Sequence, residues 1–320
     1  MKAYQHVTYG SAKHLQLENV ARPTPGAGEV VIEVRVVSIN PLDWRTMMAN
    51  PALIRISKGL LRPKKTILGA DVAGVIVEVG AGVDDVAVGD RVVGELDTGG
   101  FAEFVCTTVA RIVKIPENVS FEHAAALPVA GLTAIQGLQD HGNIQSGERV
   151  LINGASGGVG TYALQLAKYY GATVDAVCSG RNSKLVKGLG AAAVFDYTKE
   201  DYTKHGQRYD LIYDAVGNRS AQDHVRCLND GGRCVVAGFT TMGRLASVVL
   251  AAKRISRTTG KTIKTFVAKP NHDDLVALLH LLSTDQIVSI IERTYTFDQI
   301  PEALDYGATK RTRGKLVVVY

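Results

Sequence analysis

Residues 148–168 read ERVLINGASGGVGTYALQLAK: a short apolar run, a glycine-dense turn, then helical spacing. A turn built of small residues at that spacing lets backbone N–H groups and the start of a helix meet a phosphate. Ala155 permits the tight bend, Gly157 lets the backbone touch a pyrophosphate, and Gly160 lets helix and strand pack closely. Ser156, Gly158 and Val159 complete the candidate cradle. Ala stands where the fingerprint has its first Gly, so two other readings stay open: a close helix–strand contact and a methyltransferase loop. No Lys-Ser/Thr pair follows the turn, which excludes a nucleotide-triphosphate P-loop.

The end of the next apolar run decides which dinucleotide would fit. A site for NAD places Asp or Glu about 20 residues past the glycines, where it accepts from ribose hydroxyls. Here that region reads CSGRNSK, with Ser179, Arg181 and Lys184 and no acid. A hydroxyl and two cations attract a 2′-phosphate, so NADPH is expected. The competing reading makes Arg181 and Lys184 surface residues of the following helix.

The elements that must position these residues follow from the spacing. From residue 149, RVLIN, TVDAVCS, AAVFDY, YDLIYDAVG, GRCVVAG and KTIKTFVA read as six strands, with helical stretches between the first three. That rhythm predicts a doubly wound parallel α/β sheet. Gly217 and Asn218 close the fourth strand, and Gly238 and Phe239 the fifth, where open α/β sheets bind ligands. From residue 28 to about 115 the chain is instead rich in β-branched runs with Gly, Asp and Pro punctuation, which predicts an antiparallel, barrel-like domain. The tail, from DDLVALLHLLS to KLVVVY, is expected to return to it. The expected boundaries are therefore 1–123 with 268–320 for the barrel and 124–267 for the parallel sheet. A length of 320 residues suits two domains.

Composition narrows the classes further. No apolar run reaches the roughly 18 residues needed to cross a bilayer, and the N-terminus lacks the order of a secretory signal, so a cytoplasmic location is expected. Cys106, Cys178, Cys227 and Cys234 form no C-x-x-C pair and are expected to be reduced. The net charge of +5 is uneven: no acid lies between Asp43 and Asp71, or between Asp230 and Asp273, while each stretch holds at least six cations. Such stretches suit an anionic cofactor, a membrane surface or nucleic acid. No nucleic-acid motif accompanies them, and no nucleic-acid partner is expected.

Taken together, these segments resemble the quinone oxidoreductase/zeta-crystallin branch of the medium-chain dehydrogenase/reductases. The glycine turn matches at Gly147, Leu151, Ala155, Ser156, Gly157, Gly158, Gly160, Gln165 and Lys168. GEVVIEVRV, VGDRV, GGFAEFV, AALPVAGLTA, NPLDWR and LDYGATKRTRGKLVVVY extend the likeness over nearly the whole chain. The resemblance implies a GroES-like β-barrel domain, a Rossmann domain, a nicotinamide cleft between them and a homodimer. It also implies that Thr133 reaches the nicotinamide side and that Tyr197 lies near the adenine-side phosphates. Tyr197 and Phe239 have equal claims as core residues. Lys315, just before the last strand, is a further cofactor candidate.

Zinc-dependent members of the superfamily carry a Cys after the second strand and a Gly-His-Glu motif. Here those stretches read SINPLDW and LGADVAG, which puts Asn40 or Pro41, Ala70 and Asp71 at the ligand places. A catalytic zinc needs about three protein ligands, so no metal is expected. Without it, alcohol oxidation is disfavoured, whereas quinones and α,β-unsaturated carbonyls delocalise the arriving charge. The implied activity is NADPH-dependent reduction of such an acceptor. The alternative is a cofactor-binding protein with a partner- or RNA-binding role and vestigial catalysis. Asn40 is the candidate donor to the acceptor oxygen; Asn-Pro-x-Asp is also a helix start, with Asn40 as N-cap and Asp43 as third-position acid. Trp44 reads as core. The loop NPALIRISKGLLRPKKTILG alternates apolar residues with cations and reads either as a surface loop or as a peripheral membrane contact.

Overall fold

The computed structural model describes residues 1–320, which form two compact units, Met1–Ala130 with Pro270–Tyr320, and Gly131–Lys269. In chain order the strands and helices are β1 (Lys2–Gln5), β2 (Gln16–Asn19), β3 (Glu29–Ile39), α1 (Pro41–Met48), α2 (Ile54–Lys58), β4 (Asp71–Val79), β5 (Arg91–Glu95), β6 (Phe104–Thr108), β7 (Ile112–Lys114), α3 (Phe121–Ala125) and α4 (Pro128–Gln136). The parallel-sheet unit follows with β8 (Arg149–Asn153), α5 (Gly158–Tyr169), β9 (Thr173–Cys178), α6 (Ser183–Gly188), β10 (Ala193–Asp196), β11 (Tyr209–Asp214), α7 (Ala221–Arg226), β12 (Leu228–Val236), α8 (Met242–Thr259) and β13 (Thr262–Thr265). The chain then returns to the first unit with α9 (His272–Ser283), β14 (Ile291–Thr296), α10 (Ile300–Ala308) and β15 (Lys315–Val319).

In the first unit a seven-stranded sheet runs β14-β15-β3-β4-β5-β7, with β6 also on β3. The long strand β3 is apolar on both faces: Val30, Ile32, Val34 and Val37 enter a core shared with Trp44, Met47, Ile76 and Phe101. Trp44 is thus a core residue. Antiparallel pairing brings strand ends together: Leu316 faces Ile39, Ser38 faces Asp71, and Asp71 faces Glu95. The start of β15, the end of β3, the start of β4 and the end of β5 therefore lie side by side at one end of the sheet. The first unit runs to Ala130, seven residues past 123: α3 packs on β3 and β4, and Val129 N–H bonds Asp71.

In the second unit six strands lie in the order β10-β9-β8-β11-β12-β13, all parallel. In strand number this is 3-2-1-4-5-6, the doubly wound order whose direction reverses beside the first strand. Leu151, Val177, Tyr209, Ile212 and Cys234 fill its core. The bend from β8 into α5 is set by glycine. Gly154 has φ +84°, which favours glycine, and a Cβ on Gly160 would lie 2.1 Å from the Gly154 carbonyl oxygen.

That contact reverses a normal helix preference. Gly160→Ala would gain up to about 1 kcal/mol from helix propensity alone. Here backbone must move to admit the methyl, so the substitution is expected to destabilise by about 1–3 kcal/mol. Chemical denaturation of the variant checks the sign; a stabilised protein would contradict the close packing of this turn.

Candidate functional site

Two groups of residues carry chemistry, one in each unit. In the parallel-sheet unit the candidate cofactor residues gather at the carboxyl ends of β8 to β12. Gly157 is the N-cap of α5 and provides no side-chain cap, so the first N–H groups of a twelve-residue helix have no capping partner from it. A Cβ on Gly157 would have only the Gly154 carbonyl oxygen near it, at 3.5 Å, so the space over the turn is open. Ala155 is buried beneath it, and Ser156 Oγ accepts from Asn182 Nδ2 at 2.9 Å. This is the donor set and the room that a pyrophosphate requires.

The next strand ends carry the rest. Ser179 begins a short 3-10 turn, with Arg181 in it and Lys184 in α6; both cations are exposed. Sequence reading placed no acid here, yet Asp196 at the end of β10 lies against Gly180, so close that a Cβ there would stand 2.3 Å from its Oδ2. Its Oδ1 already accepts from Thr198 N and Oγ1 at 3.1 and 2.7 Å. These bonds hold its carboxyl below the ordinary range. Tyr197 is exposed and Phe239 half-buried. The Thr133 carbonyl accepts from Tyr213 Oη at 2.8 Å.

A second residue missed by sequence reading organises the fourth strand end. The buried Asp214 Oδ1 accepts from Asn153 Nδ2 at 2.7 Å and from the N–H groups of Val216 and Gly217, each at 2.9 Å. It ties β8 to β11 and shapes the Gly217–Asn218 turn. Although burial pushes its carboxyl up, His224 and these N–H groups hold it below the ordinary range. A Cβ on Gly217 would meet the Gly238 carbonyl oxygen at 2.1 Å, and one on Gly238 the Ala215 carbonyl oxygen at 2.2 Å. The two turns therefore touch, backbone to backbone. An acid closing the apolar run YDLIYD was the available signal.

In the barrel unit, Asn40, Asp71 and Lys315 form one buried polar cluster. Asp71 Oδ2 accepts from Ser38 Oγ at 2.6 Å, Asn40 Nδ2 at 2.8 Å and Lys315 Nζ at 3.2 Å. Its Oδ1 accepts from Val129 N at 3.0 Å. Lys315 Nζ also donates to Asn40 Oδ1. Lys315, expected among the cofactor contacts, bonds both Asn40 and Asp71 through its ammonium. Asn40 does start α1, with Pro41 following it and Asp43 Oδ2 accepting from its N–H at 2.8 Å. Its side-chain amide lies inside the cluster, with Nδ2 donating to Asp71 at 2.8 Å and to the Ser38 carbonyl at 3.4 Å.

Two neighbouring carboxyls feel this burial. Burial pushes Asp43 up to about 7, despite the Asn40 N–H that favours its charge. Burial, reinforced by Asp71, pushes Glu95 up to about 8. The loop after α1 shows different chemistry: Leu53, Ile56, Leu60 and Leu61 are exposed, the last by 86%. No helix is long and apolar enough to cross a membrane. All four cysteines are free, three of them buried.

Residues 26–117 match the family described as alcohol dehydrogenase GroES-like domain, and residues 189–318 the family described as zinc-binding dehydrogenase. The chain is 33% identical over 336 residues to the chloroplast envelope quinone oxidoreductase homolog of Arabidopsis thaliana, covering 99% of this chain and 98% of that one. It is 30% identical to the NADPH-dependent alkenal/one oxidoreductase of the same plant, over 99% of this chain and 79% of the other. Among solved structures, the quinone oxidoreductase from Coxiella burnetii superposes with a TM-score of 0.90 at 32% identity, covering 100% and 99% of the two chains.

The raised carboxyls yield a pH prediction. Asp43 binds its proton more tightly in the folded chain than in the unfolded one, where a carboxyl titrates near ~4. The folded state therefore loses stability from this group as pH rises from about 4 towards 7. Asp43→Asn removes that loss. The melting temperature of the variant relative to the unsubstituted protein should be higher at pH 8 than at pH 5, by at least ~2 °C. A difference constant across that range would contradict the assignment.

Proposed function

The chain belongs to the quinone oxidoreductase branch of the medium-chain dehydrogenase/reductases, and from that membership we propose a zinc-independent, NADPH-dependent reductase of quinones or α,β-unsaturated carbonyls. The observation that carries the cofactor reading is the uncapped start of α5 above an open glycine turn. Gly157, Gly158, Val159 and Gly160 would hold the pyrophosphate, with Ala155 and Ser156 beneath them. Ser179, Arg181 and Lys184 would meet the 2′-phosphate. Asp196, the nearby acid, already accepts from Thr198 through Oδ1. Gly217, Asn218, Gly238 and Phe239 would line the far side. When bound, the dinucleotide supplies a hydride; the chain binds it, orients the acceptor and excludes water.

The donor set at the places of the zinc ligands supports independence from that metal. Ala70 has no donor atom, and both Asp71 oxygens already accept hydrogen bonds, one of them from an ammonium. A zinc ion needs about three ligands with free lone pairs. These residues do not fit one.

An assay of NADPH oxidation across quinones, enals and enones tests the reading. Turnover with at least one acceptor is expected, with elemental analysis finding no stoichiometric zinc. Arg181→Ala with Lys184→Ala should weaken NADPH binding about tenfold or more while changing NADH binding little. Equal loss for both dinucleotides, or activity that needs added zinc, would overturn the proposal.

We further propose that the loop after α1 rests on anionic lipid. Exposed Leu53, Ile56, Leu60 and Leu61 stand among Arg55, Lys58, Arg62, Lys64 and Lys65, with no acid between Asp43 and Asp71. Flotation with vesicles containing phosphatidylserine should carry the protein upward, and Leu60→Ser with Leu61→Ser should abolish this. Absence of binding at low salt removes the idea.

A further inference from the structure

Asp214 and His224, in the parallel-sheet unit, form an ion pair with no solvent exposure on either side chain, Nε2 standing 3.3 Å from Oδ2. The Ser220–Asp223 capping box starts α7 and delivers His224 to this place. Burial alone would lower the imidazole; Cys234 and Asp214 instead carry it up to about 10, so His224 is a cation. A buried ion pair is often no more stabilising than well-packed apolar residues of the same size. This one has a different use.

That use follows from donor and acceptor roles. An ionised carboxylate only accepts hydrogen bonds, so every neighbour of Asp214 Oδ1 must present a donor. Val216 and Gly217 present their N–H groups, each at 2.9 Å, and Asn153 presents Nδ2 at 2.7 Å. The Asn153 amide is thereby held with its nitrogen towards the carboxylate. Its second N–H goes to Asn218 Oδ1 at 3.1 Å. Asn218 is exposed just past the end of β11, and with its oxygen committed, the polar group left for a ligand is its NH2. The Gly217 carbonyl accepts from Thr240 Oγ1 at 3.1 Å, so the turn is held on both sides.

We propose that His224 is a positioning residue for the dinucleotide: acting through Asp214 and Asn153, it sets the direction of this chain of hydrogen bonds so that Asn218 meets the cofactor as a donor. This rests on the cofactor reading above. The pyrophosphate and riboses of a dinucleotide are rich in acceptor oxygens, so an NH2 group at this turn attracts them and a carbonyl oxygen would repel them. Without the imidazolium, burial drives Asp214 to take up a proton. A protonated carboxyl donates as well as accepts, and nothing then fixes the two amides.

His224→Leu tests the chain. In the ligand-free protein, amide exchange at Val216 and Gly217 should quicken about tenfold or more, while Leu211 and Ile212 inside β11 keep their protection. Calorimetry should show NADPH bound about tenfold more weakly. Because the variant leaves Asp214 buried without its cation, His224→Leu with Asp214→Asn is the second variant. Its three donor neighbours hold the new amide oxygen towards them, so stability should recover and NADPH affinity return to within about threefold of the unsubstituted protein. Asn218→Ala should weaken NADPH binding about fivefold alone but less than about twofold when added to His224→Leu, since both break one chain. A histidine with a purely structural role would give losses that multiply. Four results overturn the proposal: His224→Leu binding NADPH within about threefold of the unsubstituted protein, exchange that quickens evenly through the unit, a double variant that still binds weakly, or the same loss from Asn218→Ala in both backgrounds. Each of these leaves the cofactor reading standing, because the unsubstituted protein still binds NADPH. Absence of NADPH binding by the unsubstituted protein overturns both.

Discussion

The constraint on which the barrel unit depends is a carboxylate that has no water. Asp71 is fully buried, and transfer of such a group out of water is affordable only when its oxygens find donors. It finds four: Ser38, Asn40, Lys315 and the Val129 N–H. They come from three separate stretches of chain, so satisfying one residue fixes the relation of the β3–α1 junction, the start of α4 and β15. Removing a single donor would leave the others arranged around an under-compensated charge, which is how buried polar networks come to specify one geometry.

The parallel-sheet unit is ordered by a different rule. Its candidate site consists mainly of backbone, and what shapes it is the absence of side chains. Gly154, Gly160, Gly217 and Gly238 sit where a Cβ would strike a neighbouring carbonyl or side chain. Two turns from separate strands can touch only because neither carries one. Asp214 then fixes this surface from below, turning its oxygen toward N–H groups that would otherwise lie buried without partners. The two units thus solve opposite problems, one holding charge in place and the other clearing space for it.

This difference explains what could be read in advance. The glycine turn, the six-strand rhythm and the returning tail are local patterns, and periodicity with turn chemistry reveals them. Ser179, Arg181 and Lys184 are proposed from a local pattern too, because they follow the turn at a characteristic distance. Asp196 was not, since it reaches Gly180 from the adjacent strand and only sheet order makes them neighbours. Asp214 looked like part of an apolar strand. The fate of Asn40 was the least legible. Its helix-start signature is local and correct, yet its amide is claimed by Asp71 and Lys315, which lie 31 and 275 positions away. A side chain with two possible employments takes the one that leaves fewer buried groups unpaired, and that choice is invisible without tertiary contacts.

The distance along the chain between Asp71 and Lys315, 244 positions, has a consequence for biosynthesis. A ribosome delivers β3, α1 and β4 long before it delivers the cation that neutralises their carboxylate. Until β15 emerges, Asp71 is better off hydrated than enclosed, so the sheet end around it stays open while the whole dinucleotide-binding unit is made and can fold. A nascent chain halted before Lys315 would therefore hold Asp71 without the cation that pairs with it in the finished unit.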